Sequence, residues 1–326
     1  MVRVRCRADS GSMTMKLMFF DDFRLGVVRG NGVVDVSGAV RDIPHLEPQD
    51  LIAGLIERFP HYRPRLEAAS AAGEPLPLSA VRIRAPLPRP RNIVCMAVNY
   101  MEDGTRAEPA PINAFLKSPS AVIGDGEEMV LPDVPATVFE GEAELAVVIG
   151  RRASRVPAAR AMEYVFGYVN FIDGSARGLP PAGNTFYQMK SRDTFAPIGP
   201  FIVTADEVPD PHRLSVRLWV NGRLMQDFST GDMAHKIPRC IEWVTSIHAL
   251  EPGDVLATGT NHRGLSPFQD GDRIELEIEG LGRLHVRVRD ELGRTWARET
   301  RLERQQKGLE GPAPQLTGRY AKGEAK

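Results

Sequence analysis

A mixed α/β, β-rich fold with a small α+β unit at the N-terminal side is predicted by three features of this chain of 326 residues. Apolar runs of strand length recur from Asn92 to Asp290. Two of them flank Asn221-Gly222, a dipeptide that favours a type I′ hairpin. Helical periodicity is confined to residues 49–71 and to a stretch after Ile237.

Taken in order, the first fourteen residues, MVRVRCRADSGSMT, read as a polar extension, with Met13 or Met15 as an alternative start. Residues 15–85 are expected to form the small unit: KLMFF, RLGVVRG and GVVDVSG as strands, then helices over 49–58 and 62–71. APLPRPRN (85–92), with three prolines, is a linker. The main domain, 86–296, carries NIVCMAV, AELAVVIG, VFGYVNFID, LSVRLWV, RLMQDF, DVLATG, RIELEIEG and GRLHVRVRD as strands, and a helix over 237–250. The charged segment 297–326, with its Pro and Gly, predicts a loose polar tail.

The balance of 41 Lys plus Arg against 42 Asp plus Glu gives no global field toward nucleic acid or an anionic membrane. No apolar stretch reaches the roughly 20 residues of a membrane helix, and the N-terminus lacks a signal-peptide core. Cys6, Cys95 and Cys240 are odd in number and lack metal-ligand spacing, so they read as structural thiols in a reducing cytoplasm. The expected partners are small molecules and a second copy of the chain.

Glu142 and Glu144 stand one residue apart at the head of an apolar run. In a strand such side chains share a face, so their carboxylates repel unless a cation intervenes or one keeps a proton. A solvated strand face is the plainer reading of Glu-x-Glu alone, but the buried character of AELAVVIG argues against it. A third acid, Asp173, ends VFGYVNFID. Three carboxylates without Cys or His close by make an all-oxygen set suited to a hard cation, Mg²⁺ or Mn²⁺.

From residue 91 to 290, IVCMAVNY, FLKSPSAVIG, EAELAVVIG, FIDGSARG, KSRDTFAPIGP, VNGRLMQD, LEPGDVLATGT and DGDRIELEIEGLG follow in an order that resembles the catalytic domain of the fumarylacetoacetate hydrolase superfamily. The resemblance implies a mixed β-sheet roll around a divalent metal, a small N-terminal domain and a homodimer. It assigns Glu142, Glu144 and Asp173 to Mg²⁺ or Mn²⁺ and Lys190 to a developing oxyanion. Asp193 would orient Lys190, and Arg177 would brace the metal loop or touch substrate. Thr258, Gly259 and Thr260 form a turn whose donors are expected to hold a substrate carboxylate. The implied activity is hydrolysis of a C–C bond in a small 2-oxo or diketo acid of the acylpyruvate or fumarylacetoacetate kind, as in aromatic catabolism. The alternatives are a hydratase, isomerase, decarboxylase or ureidoglycolate-type lyase on the same site, or a paralogue that binds a metabolite without turnover.

The chain departs from the family in its lid. Hydrolases of the family often carry NYxxHxxE there; this chain reads NYMEDGTRAEP, with Asp103 at the histidine position and Arg106 at the glutamate position. A second departure is RGLPPAGNTF after the SAR motif. A third is TGTNHRGL, in which Asn261 replaces a frequent proline and His262 follows. His262 is therefore the candidate general base, with Asp103 or Glu102 as the lid alternatives. Residues 100–111, without apolar periodicity, read as a mobile lid.

Overall fold

The computed structural model describes residues 15–181 and 186–321. The expected extension 1–14, with Cys6 and Met13, lies outside them, as do residues 182–185 of RGLPPAGNTF and the last residues, 322–326.

Two long strands form the middle of the molecule. Val138–Ile149 is buried at every position, and Val165–Arg177 is buried at all but its ends. They pair antiparallel with Glu142 directly opposite Asp173. Because successive side chains alternate, Leu145, Val147 and Ile149 join one core while Ala146 and Val148 join a second on the other face. Each fully buried Val, Leu or Ile contributes about 1.5–3 kcal/mol, so a strand apolar on both faces is held between two layers rather than left at a surface.

The first core is closed by a five-stranded sheet and by helix Ile237–Ile247. That sheet contains the predicted hairpin, Ser215–Val220 and Arg223–Ser229, with Val220 opposite Arg223. Both turn residues, Asn221 (φ 51) and Gly222 (φ 78), adopt the left-handed conformation that a type I′ turn requires. The helix stops short of the expected Leu250 because His248 is extended; Leu250 instead bridges to Ala153.

The second core is covered by the N-terminal helices Pro48–Glu57 and Phe59–Ala72. Glu47 and Asp50 form a capping box at the first, and Pro48 occupies its first turn. The three N-terminal strands Lys16–Phe20, Arg24–Arg29 and Gly32–Asp35 do not build a sheet of their own. Lys16–Phe20 pairs with Ala196–Thr204, which continues the central sheet. Linker residues 85–92 carry no strand or helix, and Leu87 within them is buried.

The segment after Trp296 differs from the loose tail expected. Thr300 and Glu303 cap a short helix, Arg301–Gln306, and Gln315–Thr317 pairs with Thr295–Trp296. Arg319 and Tyr320 reach Asp133 at 2.7 and 2.6 Å. Arg301, Glu303 and Arg319 of this segment form ion pairs with Glu140, Arg223 and Asp133 of the domain. Among the described residues no helix is long and apolar enough to cross a membrane.

Candidate metal centre

The acidic register brings the three predicted carboxylates together. Glu142, Glu144 and Asp173 are all buried, and one oxygen from each lies within 4.8 Å of the others. At this end of the sheet the face they share is covered by the short helix Phe186–Lys190, whose Phe186 stacks on Phe115 at 4.5 Å.

Two buried lysines meet the acids. Lys190 Nζ donates to Glu142 Oε1 at 2.8 Å and to Asp173 Oδ2. Lys117, from strand Ala114–Lys117, donates to Asp173 Oδ1 at 2.6 Å, to the carbonyl of Gly174 at 3.1 Å and to the carbonyl of Lys190. An ammonium has three N–H donors. Lys117 uses all three within the protein, whereas Lys190 keeps one, and this separates a brace from a group that can still bind something. Burial alone would lower the Lys190 pKa, but Asp173 and Glu142 outweigh it and raise it above its ordinary value.

The carboxylates are not equivalent. Burial pushes Glu142 up, but Lys190 and Arg177 more than reverse this and hold it well below the usual range. Glu144 is pushed well above its ordinary value by burial, reinforced by Asp173 and Glu142. One oxygen of Glu144 accepts the Gly259 N–H at 2.7 Å; the other, Oε1, is buried with no hydrogen-bond partner. An orphaned carboxylate oxygen aimed at two further carboxylates in an all-oxygen set is what a divalent cation would satisfy, so the residues present fit one.

Behind the triad lies Glu140, which no sequence motif singled out. It is 1% exposed and receives Arg177 from its own sheet and Arg301 from the C-terminal helix. Arg177 also donates to Glu142. Of the two roles considered for Arg177, bracing is the one its contacts describe.

Three assignments come out differently. Thr258 and Thr260 donate their hydroxyls to the carbonyls of Leu145 and Ala143, each at 2.8 Å, and the Gly259 N–H is taken by Glu144. Both hydroxyls and the Gly259 N–H are therefore engaged within the protein, and the turn orients the Glu144 carboxylate. Gly259 sits at φ +86, and a Cβ there would come within 3.1 Å of Asn99 Cβ and 3.2 Å of the Met96 carbonyl. Gln226 locks the turn, donating to Thr260 Oγ1 at 2.9 Å and to the Asn261 carbonyl at 2.8 Å. Asp193 does not orient Lys190; it is exposed and accepts from Ser120 at 3.1 Å.

In the lid, Asp103 points away to Arg263 at 3.1 Å, and it is Glu102 that meets His262. Glu102 accepts from the His262 backbone N–H at 2.9 Å, and its other oxygen lies 2.6 Å from His262 Nδ1. Glu102, Asp103 and Gly104 are consecutive left-handed residues (φ 56, 55 and 76), a costly backbone that aims the Glu102 carboxylate at the ring. The segment expected to be a mobile lid is anchored at its start, where Tyr100 bridges Met233 and the Met101 N–H reaches the Asp232 carbonyl at 2.9 Å. His262, Glu102 and Arg177 line one side of a cavity of about 390 Å³, and the His262 field reaches Glu142.

Residues 92–289 match the C-terminal domain of fumarylacetoacetate (FAA) hydrolase. The chain belongs to the fumarylacetoacetate hydrolase family. Maleylpyruvate hydrolase of Aquipseudomonas alcaligenes is 33% identical over 291 residues, 84% of this chain and 99% of that protein. An oxaloacetate tautomerase of Bacillus subtilis is 34% identical over 284 residues, 80% and 94% of the two chains. Maleylpyruvate hydrolase from Sphingobium sp. SYK-6, solved with manganese(II) and pyruvate, is 36% identical with a TM-score of 0.77, covering 85% of this chain and 99% of that one. These relatives agree with the β-rich fold and are enzymes of differing reaction type.

Lys117 and Gln226 were absent from the sequence-derived site. Both lie in family-like stretches, FLKSPSAVIG and VNGRLMQD. A lysine or glutamine has no periodic signature, so only the pairing of the strands reveals that these two are buried.

Proposed function

We propose that this protein hydrolyses a C–C bond in a small diketo acid, with His262 as the base that activates water. The observation that carries the reading is the Glu102–His262 contact beside the buried triad. In the tautomer that donates Nδ1–H to Glu102, Nε2 is the nitrogen left to accept a proton, and it has no partner among the described residues.

Held by Glu142, Glu144 and Asp173, Mg²⁺ or Mn²⁺ would supply Lewis-acid polarisation of the substrate oxygens and stabilise enolate charge. His262 Nε2 takes a proton from water as the water oxygen bonds to the acyl carbon. The third N–H of Lys190 donates to the oxyanion that forms there. When the C–C bond breaks, its electron pair passes to the 2-oxo acid fragment as an enolate, and the proton held on His262 is returned to carbon. The acyl fragment leaves as a carboxylic acid.

A second reading, tautomerisation of a 2-oxo diacid, is supported by the B. subtilis relative of similar identity. The same donors would then move a proton without admitting water. A paralogue that only binds a metabolite has less support, because binding alone leaves the Glu102–His262 pair without a use.

His262→Gln separates these readings. Hydrolysis should lose about 10²-fold or more in kcat, and the acidic limb of its pH profile should vanish. Asp103→Asn should change little, because that carboxylate is turned toward Arg263. A nearly silent His262→Gln would remove the hydrolytic role of this residue and favour proton transfer through Lys190 alone.

A further inference from the structure

The C-terminal segment 297–321 lies outside residues 92–289, which the family match covers, yet it reaches the metal centre. Its helix Arg301–Gln306 is docked by its first turn. The Arg301 N–H donates to the Leu265 carbonyl at 2.9 Å and the Leu302 N–H to the Arg263 carbonyl at 2.8 Å, both in the loop that carries His262. Arg301, Leu302 and Gln305 thereby complete the wall of the cavity that His262 and Arg177 also line.

Glu140 is where this segment meets the site. Two guanidiniums share its buried carboxylate. Arg301 donates through Nε to Oε1 at 3.1 Å and through Nη2 to Oε2, and Arg177 donates through Nε to Oε2. The remaining arm of Arg177, Nη2, donates to Glu142 Oε1, which Lys190 also holds. Without Arg301, the Arg177 guanidinium would face two buried carboxylates. A buried charge stripped of a partner is strongly destabilised, so Arg177 would be drawn to Glu140 at the expense of Glu142.

We propose that Arg301 is a positioning residue for the metal centre. By neutralising Glu140 it leaves Arg177 free to fix Glu142, so the C-terminal segment sets the geometry of a metal ligand that it does not itself touch. The relay runs from Arg301 through Glu140 and Arg177 to Glu142. It goes beyond the hydrolytic reading, since it serves any reaction run on the triad and requires only that the triad bind a cation.

The test is calorimetric titration of the metal-free protein with Mn²⁺. Arg301→Gln should weaken Mn²⁺ binding on the order of 10- to 100-fold, the range for losing a residue that orients a metal ligand, and Arg301→Lys should recover part of it. Glu140→Gln removes the carboxylate through which Arg301 acts, so adding Arg301→Gln to it should cost nothing more. Arg319→Gln, which breaks the contact of the same segment with Asp133 at the surface, should bind Mn²⁺ as wild type does. Unchanged affinity in Arg301→Gln would overturn the inference and leave the metal centre intact, as would an equal further loss in the double variant. An equal loss in Arg319→Gln would assign the effect to anchorage of the whole segment and overturn it too. The double variant removes a buried charge together with its partner, so its comparison with Glu140→Gln still decides the matter if Arg301→Gln alone does not fold. Absence of Mn²⁺ binding in wild type would overturn both the inference and the metal centre.

Discussion

Glu144→Ala is expected to abolish tight Mn²⁺ and Mg²⁺ binding while leaving the fold in place. Glu144 is held by a single hydrogen bond, from Gly259, and its second oxygen has no partner. Its removal therefore breaks few protein contacts but takes one oxygen from a set of three. Burial pushes Glu144 well above its ordinary pKa, and Asp173 and Glu142 add a repulsion that a cation would relieve. Calorimetry should register the loss directly. Thermal unfolding gives a second readout: at a metal concentration about 100 times its Kd, wild type gains about 2.7 kcal/mol by mass action, and the variant should gain nothing. Wild-type affinity in Glu144→Ala would remove the triad as a metal centre.

Lys190→Met is expected to lower kcat by about 10²- to 10³-fold, the range for loss of one oxyanion donor, with a much smaller change in KM. The prediction depends on the difference between the two buried lysines. Lys117 has all three donors engaged by Asp173, Gly174 and Lys190, whereas Lys190 has two engaged by Glu142 and Asp173. A group with a donor to spare can strengthen its contact as charge develops, and that is the condition for acting on the rate rather than on binding alone. Met keeps most of the buried volume at a position that is 2% exposed. Near-UV circular dichroism should therefore match wild type, and a matched spectrum with unchanged kcat would exclude Lys190 from oxyanion binding.

Much of the centre was legible because strand geometry is strict. Two acids one residue apart must share a face, and an apolar run on both sides of them must be buried, so Glu142 and Glu144 were readable from EAELAVVIG. Asp173 could be nominated as an acid closing another apolar strand, but only the pairing of the two long strands sets it opposite Glu142. Ala196–Thr204, a fully buried strand, escaped because Pro197, Gly199 and Pro200 break the apolar pattern. The tail misled by composition: Arg301 reads as a solvated charge until Glu140, far away in sequence, is placed beneath it. The turn Thr258–Gly259–Thr260 has the donors expected, but the carbonyls of the neighbouring strand and Glu144 compete for them and win.

The lid shows the limit of carrying roles by position. Asp103 stands where the family's histidine does, yet Glu102 makes the contact with His262, because the left-handed turn at 102–104 directs the two side chains apart. The base we propose would be assembled from a lid acid and a loop histidine that lie 160 residues apart in sequence. No local motif announces such a pair.

In the reaction proposed, water activated beside the triad cleaves a C–C bond. The most direct test incubates the Mn²⁺-loaded protein with an acylpyruvate in ¹⁸O-labelled water and follows the products by mass spectrometry and NMR. Hydrolysis should yield pyruvate together with a carboxylic acid that has gained one ¹⁸O, both abolished by chelator. An intact acylpyruvate that merely exchanges its C3 protons with solvent, with no pyruvate released, would contradict it.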